Sequence, residues 1–149
     1  MLECGIIHRE ATHLVGLSYA GPFPQSFPQG AIDVQRRFWK RRHEVAHPAR
    51  EGVLFSPHSA NESFATYWAA YQVERIESVP EDMVGITLPA HTYARVQCTN
   101  RSIGQGYTDL HRWIEERGHR PLRNACTVEV FHIREAEEEP VEIWIPIEG

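Results

Sequence analysis

Apolar and polar residues alternate in short runs along most of this chain, a pattern typical of antiparallel strands that are buried on one face. Eight such runs are present, at residues 5–10, 13–19, 52–57, 64–74, 83–88, 91–98, 127–133 and 141–147. Each is short and bounded by turn-forming residues. They predict eight strands, of which the first two form either one bent strand or a tight pair.

Two stretches have a helical period instead. The first has Ser26 as a predicted N-cap, must end at His47-Pro48, and carries one apolar stripe made of Ala31, Val34, Phe38 and Val45. The second is capped by Thr108 or Asp109 and ends at Gly118, and one of its faces is formed by Leu110, Trp113 and Ile114. The sequence therefore predicts two main helices.

The two halves of the chain repeat one plan: strand, kink, strand, helix, strand, strand. Trp39 and Trp113 in the two helices are 74 positions apart, and Trp68 and Trp144 in the two final strands are 76 apart. This spacing indicates duplicated β-α-β-β units, with half-modules at about 4–76 and 82–149. We predict a single α+β domain over residues 1–149, an antiparallel sheet with both helices on one side, and a pseudo-twofold pocket where the halves meet.

Composition narrows the class of protein. The chain has 149 residues, 42% of them hydrophobic and 23% charged, and a net charge of -5. No apolar run reaches the length of a membrane span, no signal peptide begins the chain, and the acidic balance disfavours direct nucleic-acid binding. We expect a cytoplasmic protein. Its three cysteines are scattered and odd in number, so we expect neither a disulfide framework nor a cysteine zinc site.

The last strand carries candidate chemistry. Its odd positions are apolar, whereas Glu142 and Trp144 share the other face. A carboxylate beside an indole offers a cation both an ionic partner and a π face. The alternative is an edge strand whose outer face is solvated.

Three segments resemble the GyrI-like effector-binding superfamily. They are the pair of runs TVEVF and EIWIPI, the turn LPAHTYA, and the helix end WIEERG. His91 stands where the superfamily has a glycine in the turn. The superfamily includes drug-sensing domains of AraC-type and MerR-type regulators, gyrase-inhibitory proteins and a few hydrolases of cyclopropane-bearing toxins.

The resemblance implies a stand-alone effector-binding protein for aromatic or lipophilic cations, since no helix-turn-helix segment precedes the domain. By position, Glu129 matches the deep carboxylate and Phe131 its apolar wall, and Glu142 and Trp144 match the acid and the aromatic of the last strand. Position and pseudo-symmetry add Trp68, Phe64 and Tyr93 as ligand-binding residues. No cofactor, metal or catalytic residue is implied for the binder.

Other functions stay open beside this one. The same pocket could hydrolyse an electrophilic aromatic compound, with Glu129 or Glu142 as general base. The chain could instead mask an enzyme such as gyrase through surface contacts. A protein partner or a homodimer is compatible with all three.

One geometric condition governs the site. Glu129 and Phe131 share a face of their strand, and so do Glu142 and Trp144, but both pairs enter one pocket only if the register sets an odd residue opposite an even one. We predict that Glu129 lies across from Trp144 or diagonal to it. If Glu129 faces the helices or solvent, its assignment to the cation site fails. The alternative partners are Arg112, Arg120 and Arg123.

Three further patterns in the sequence suggest other functions. Residues 43–47 read HEVAH, the zinc-protease pattern, but Pro48 disfavours the helix that the second histidine needs, so we predict no zinc site. The basic run at 36–42 is interpreted as a solvated helix face, with a partner-binding patch left open. Cys98 with His91 has no spacing that supports nucleophilic catalysis, and we interpret both as core and turn residues.

Overall fold

The computed structural model describes residues 2–149, in which the chain forms eight strands and two α-helices. In order these are β1 (Cys4–Arg9), β2 (Thr12–Pro22), α1 (Gln29–Arg41), β3 (Val53–Ala60), β4 (Phe64–Val73), β5 (Val84–Leu88), β6 (His91–Thr99), α2 (Ile103–Glu116), β7 (Thr127–His132) and β8 (Pro140–Ile147). A short 3-10 helix, Arg42–Glu44, follows α1. All eight predicted strands are confirmed, with bounds that differ by a few residues.

The predicted helix starts are wrong. The Ser26 hydroxyl donates to the Pro22 carbonyl and closes a turn, so α1 begins three residues later, at Gln29. In the second helix the Thr108 hydroxyl donates back to the Gly104 carbonyl inside α2, which begins at Ile103. The predicted end of the second helix is confirmed, because Gly118 has a φ of 72° in the left-handed region that glycine adopts readily.

The order of strands in the sheet shows the duplication. The order is β1-β6-β8-β7-β3-β4-β2-β5, and every pairing is antiparallel. Equivalent strands of the two halves occupy equivalent places from the two edges inward. The first strand of each half is exchanged, since β1 pairs with β6 and β5 pairs with β2. Strands β1 and β2 therefore do not form a tight pair, and the halves join at the β3–β7 ladder.

Both helices pack on one face of the sheet, as predicted. Val34 and Phe38 of α1 are buried against β2 and β4, and Leu110 and Ile114 of α2 are buried against β6 and β8. The central strands β3 and β7 lie between the two helix positions. With 13 and 14 residues, neither α-helix in residues 2–149 is long and apolar enough to cross a membrane.

The opposite face is also buried, although no helix covers it. One apolar cluster contains Leu14, Phe55, Val128 and Trp144, of which Trp144 is 4% exposed. The same cluster is joined by residues of both edge strands, β1 and β5. A flat sheet would leave this face in water, so the sheet must curl around it.

Candidate ligand-binding site

A buried carboxylate lies in the middle of β7, where the two halves join. Glu129 is 9% exposed and pairs across the ladder with Ser56 of β3. The Tyr67 hydroxyl of β4 donates to its Oε1 at 2.6 Å, and the Tyr107 hydroxyl of α2 donates to its Oε2 at 2.5 Å. Among residues 2–149, no lysine, arginine or histidine nitrogen lies within 4.0 Å of these oxygens. The alternative pairing with Arg112, Arg120 or Arg123 is therefore not formed.

Polar side chains of the first half extend this cluster. Gln35 of α1 donates to the Tyr67 hydroxyl oxygen at 3.2 Å and to the Ser56 hydroxyl at 3.1 Å. The His58 ring stacks on the Tyr67 ring with centroids 5.3 Å apart, and its Nε2 lies 3.3 Å from the Tyr107 hydroxyl. Five elements thus converge on one negative charge.

Both tyrosines are held in the protonated form that donates to the carboxylate. Burial and then the negative charge of Glu129 raise the pKa of Tyr67 and the pKa of Tyr107 well above the ordinary tyrosine value. Hydrogen bonds to a charged group contribute about 1.5–3 kcal/mol each, so two of them offset much of the cost of burying the carboxylate. The two hydrogen bonds do not neutralise the charge of the carboxylate.

An apolar groove of about 440 Å³ lies beside this cluster, on the helix face. Its apolar lining includes Trp39 of α1, Leu54 of β3 and Phe131 of β7. Gln35, which also donates to Tyr67, lines the groove and connects it to the Glu129 cluster. The exposed cations Arg36 and Lys40 line the groove as well.

The predicted position of Glu129 relative to Trp144 is wrong. The register sets Glu129 opposite Ile143 and Val128 opposite Trp144, so odd residues face odd residues. Glu129 and Phe131 consequently face the helices, whereas Glu142 and Trp144 face the other way. With this register Glu129 cannot share a cation site with Trp144. Any role of Glu129 must rest on the tyrosine cluster instead.

Glu142 and Trp144 lie in a second cavity, of about 400 Å³, on the face opposite the helices. Glu142 accepts hydrogen bonds from His132 at 2.6 Å, Trp144 Nε1 at 3.1 Å and Arg95 at 3.3 Å. Burial raises the pKa of Glu142, but the bonds from His132 and Trp144 and the nearby Arg95 outweigh burial and lower it. The Arg9 guanidinium already lies 4.9 Å from the Trp144 ring centroid.

The remaining predicted residues line a third cavity, of about 720 Å³, also on the face opposite the helices. Phe64 is 49% exposed there, Trp68 is half-buried, and Tyr93 is 2% exposed. The seven predicted residues thus do not line one pocket, although Tyr93 packs against Trp144 with ring centroids 5.5 Å apart. Sequence reasoning missed Tyr67, Tyr107, Gln35 and His58. Tyr107 carried a signal, because it lies at helical spacing from the buried Leu110 and Ile114.

The competing motifs do not form their sites. His43 lies in the 3-10 helix and His47 lies outside any helix with a φ of 52°, so the helical spacing that a zinc-binding HExxH needs is missing. No group of three or more potential metal ligands occurs in the described part of the chain. Cys98 and His91 point to opposite faces of β6, and burial and then the charge of Glu129 raise the pKa of Cys98 to about 11.

Solved structures share this fold. SAV2435, solved bound to tetraphenylphosphonium, is 14% identical with a TM-score of 0.76, over 99% of this chain and 95% of that one. An integron cassette protein from the mobile metagenome of Vibrio cholerae is 12% identical with a TM-score of 0.65, over 97% and 95%. A hydrolase from Listeria innocua is 8% identical with a TM-score of 0.64, over 98% and 92%. At these identities the likeness establishes the fold alone.

A comparison with curated proteins finds no match. A family model does match, over residues 5–147, nearly the whole chain. Its description is that of an integron-associated effector binding protein, and the GyrI-like resemblance is confirmed by this match together with the shared fold. The chain belongs to the Cass2 family of integron-associated effector-binding proteins.

Proposed function

We propose that this chain binds a lipophilic aromatic cation as its effector, in the groove on the helix face, with Glu129 as the countercharge. The observation that carries the proposal is a buried carboxylate that is held by two neutral hydroxyls and has no cationic partner within residues 2–149. The tetraphenylphosphonium bound to SAV2435 supports a ligand of this chemistry, because that protein has the same fold.

The groove has the surfaces that such a ligand needs. Aromatic rings of the ligand pack on Trp39 and Phe131, and this burial supplies about 25 cal/mol for each Å² of apolar surface removed from water. Two opposite charges about 6 Å apart attract each other by about 3 kcal/mol at an effective dielectric constant near 20. Arg36 and Lys40 oppose the cation, but they are exposed and therefore screened by water and salt.

Entry to the carboxylate requires side chains to move. Glu129 does not line the groove itself, and Gln35, which does, is connected to it through a hydrogen bond to Tyr67, whose hydroxyl donates to Glu129. A cation that displaces Gln35 comes closer to the tyrosine rings and to the charge behind them, and aromatic faces attract cations in their own right. The proposal therefore includes a movement of the Gln35 side chain on binding.

Hydrolysis in the same groove is the weaker alternative. A general base needs an oxygen that is free to take a proton from water. Each oxygen of Glu129 already accepts a short hydrogen bond from a tyrosine, so both oxygens are engaged. The hydrolase from Listeria innocua shares the fold but not enough sequence to carry its activity over.

The test is a titration with tetraphenylphosphonium followed by tryptophan fluorescence, because Trp39 lines the groove. Wild type should bind the cation at least about tenfold more tightly than neutral triphenylphosphine oxide, since 1.4 kcal/mol corresponds to a factor of ten. Glu129→Gln should remove most of that preference. Glu116→Gln removes the same charge from an exposed position at the end of α2 and should leave both affinities unchanged.

Two results would reject the proposal. One is equal affinity for the cation and the neutral compound in wild type. The other is a folded Glu129→Gln protein that binds the cation as wild type does. Chemical conversion of an electrophilic aromatic compound, lost on Glu129→Gln, would support the hydrolase instead. A stable complex with another protein and no binding of either compound would support the interaction function.

A further inference from the structure

The cavity of about 400 Å³ that holds Glu142 and Trp144, on the face opposite the helices, collects positive charge. It is lined by Arg9, Arg50 and Arg95, whereas Glu142 is the only carboxylate among its lining residues. This local excess of positive charge occurs in a chain whose net charge is -5. Charge of one sign collected in a concave surface, against the sign of the whole protein, needs an explanation beyond solubility.

Two of the three arginines have no ionic partner. Arg95 lies 3.3 Å from Glu142, but within residues 2–149 no carboxylate lies within 4.0 Å of the guanidinium nitrogens of Arg9 or Arg50. The one carboxylate is also engaged by His132 at 2.6 Å and by Trp144 Nε1 at 3.1 Å. The cavity therefore has more positive charge than Glu142 balances.

The cavity also has an apolar floor that holds one guanidinium in place. The Arg9 guanidinium carbon lies 4.9 Å from the centroid of the buried Trp144 ring. Phe55 packs edge-on against the same ring, with centroids 5.8 Å apart. Stacking on a ring orients the planar guanidinium, whose paired N–H groups match a carboxylate or phosphate.

We propose that this cavity is a second ligand site, for a small organic anion in which a carboxylate or phosphate is attached to an aromatic or apolar group. The anionic group binds Arg9 and Arg95, Arg50 closes over it from the loop before β3, and the apolar part packs on Trp144 and Phe55. A cavity of about 400 Å³ accommodates a small molecule and excludes a nucleic-acid strand or a folded partner.

The probes are 2-naphthoate, 2-naphthyl phosphate and the neutral 2-naphthamide, with calorimetry as the measurement. At least one anion should bind about tenfold or more tightly than the amide, and its affinity should fall as salt is raised. The stronger of the two anions identifies the carboxylate or the phosphate as the natural group. Equal affinities for anions and amide, or no binding of either anion, would overturn the proposal.

Substitutions of single arginines test whether the anion binds in this cavity. Arg9→Gln and Arg95→Gln should each weaken the anion about fivefold or more, and Arg37→Gln, which removes an exposed charge on α1 away from the cavity, should have no effect. Arg9→Lys keeps the positive charge but loses the planar guanidinium. Its affinity for the anion should therefore lie between those of wild type and Arg9→Gln. Unchanged affinity in both folded glutamine variants would overturn the proposal. Tetraphenylphosphonium affinity should not respond to Arg9→Gln, so this site and the cation groove are tested independently.

Discussion

Tyr67 and Tyr107 hold the same carboxylate, but they differ in what else depends on them. Tyr67 is 7% exposed and also accepts a hydrogen bond from Gln35, whereas Tyr107 is partly exposed on α2. We expect Tyr107→Phe to lower the free energy of unfolding by about 1–2 kcal/mol and Tyr67→Phe by about 2–3 kcal/mol, because the second also removes one of the two acceptors of the Gln35 amide. Urea denaturation at pH 7 measures both.

Tyr19→Phe is the matched control. Its hydroxyl makes no side-chain hydrogen bond within the described residues, and its ring packs on Phe27. Tyr19→Phe should change the free energy of unfolding by no more than about 0.5 kcal/mol, as is usual for substitutions outside a hydrogen-bond network. A larger loss in Tyr107→Phe than in Tyr67→Phe would contradict the ranking of the two hydroxyls.

The Glu142 cluster makes stability depend on pH. The pKa of Glu142 is below its ordinary value of 4.5 because the bonds from His132 and Trp144 and the nearby Arg95 outweigh burial. A lowered pKa in the folded state contributes stability that is fully present above the unfolded value and is lost as pH falls through the folded value. Wild type should therefore exceed Glu142→Gln in stability at pH 6, and the difference should shrink steadily below about pH 4.5.

Guanidinium denaturation of both proteins between pH 3 and pH 7 measures this difference. Glu74→Gln, at an exposed position after β4, is the control for a general effect of losing one carboxylate. A difference that stays constant or grows toward pH 3 would show that the ionised form of Glu142 is not the stabilising one.

Strand parity was predictable at the residue scale, and strand register was not. Alternation correctly set Phe131 on the face of Glu129 and Trp144 on the face of Glu142. The pairing of β7 with β8 depends on the backbone of the connecting loop, where Glu135 has a φ of 58°, and no hydrophobic pattern encodes that conformation. A shift of one residue exchanges the faces, which is why the predicted single pocket became separate cavities.

At the scale of elements, strands β2 and β4 approach each other closely at Gly16. A Cβ atom added at Gly16 would lie 2.0 Å from the Ala69 carbonyl oxygen, which neither strand can accommodate without moving. Gly5, in the edge strand β1, has no heavy atom within 4 Å of an added Cβ. Gly16→Ala should destabilise the protein by about 3 kcal/mol or more, whereas Gly5→Ala should be neutral or stabilise it by up to about 0.5 kcal/mol.

Thermal unfolding followed by circular dichroism compares the two glycine variants directly. Because both substitutions add one methyl group to a strand, the difference between them isolates the contact with β4. Equal melting temperatures would mean that β2 and β4 can move apart at little cost. The close pairing of Gly16 with Ala70 would then not restrict which side chain position 16 accepts.

Strands were predictable as elements because their alternation extends over whole runs, but helix starts depended on single polar residues. Ser26 and Thr108 both had the residue type of an N-cap, yet each donates to a nearby carbonyl in another local arrangement. Serine and threonine make such bonds in turns and inside helices as well as at caps. The sequence alone does not distinguish these uses.

At the scale of the whole molecule, the repeated plan was visible in the sequence and the exchange of edge strands was not. Internal similarity shows that two units exist, but it does not show which strand pairs with which. The exchange leaves each half dependent on the other for its outermost ladder, in addition to the central ladder of β3 with β7. The groove and the Glu129 cluster lie at this same junction, with Gln35 from the first half and Tyr107 from the second.

This dependence predicts how the chain behaves when it is cut in the connector at residues 78–79. Fragment 1–78 alone would leave β2 without β5 and β3 without β7, and fragment 79–149 would leave β6 without β1, so each exposes unpaired edges and part of the apolar face opposite the helices. Neither fragment should show a cooperative thermal transition by circular dichroism. An equimolar mixture should regain one, and should regain the difference in affinity between tetraphenylphosphonium and its neutral analogue. A fragment that unfolds cooperatively by itself would show that its half is an independent domain, and the half-module bounds at 4–76 and 82–149 would then mark true folding units.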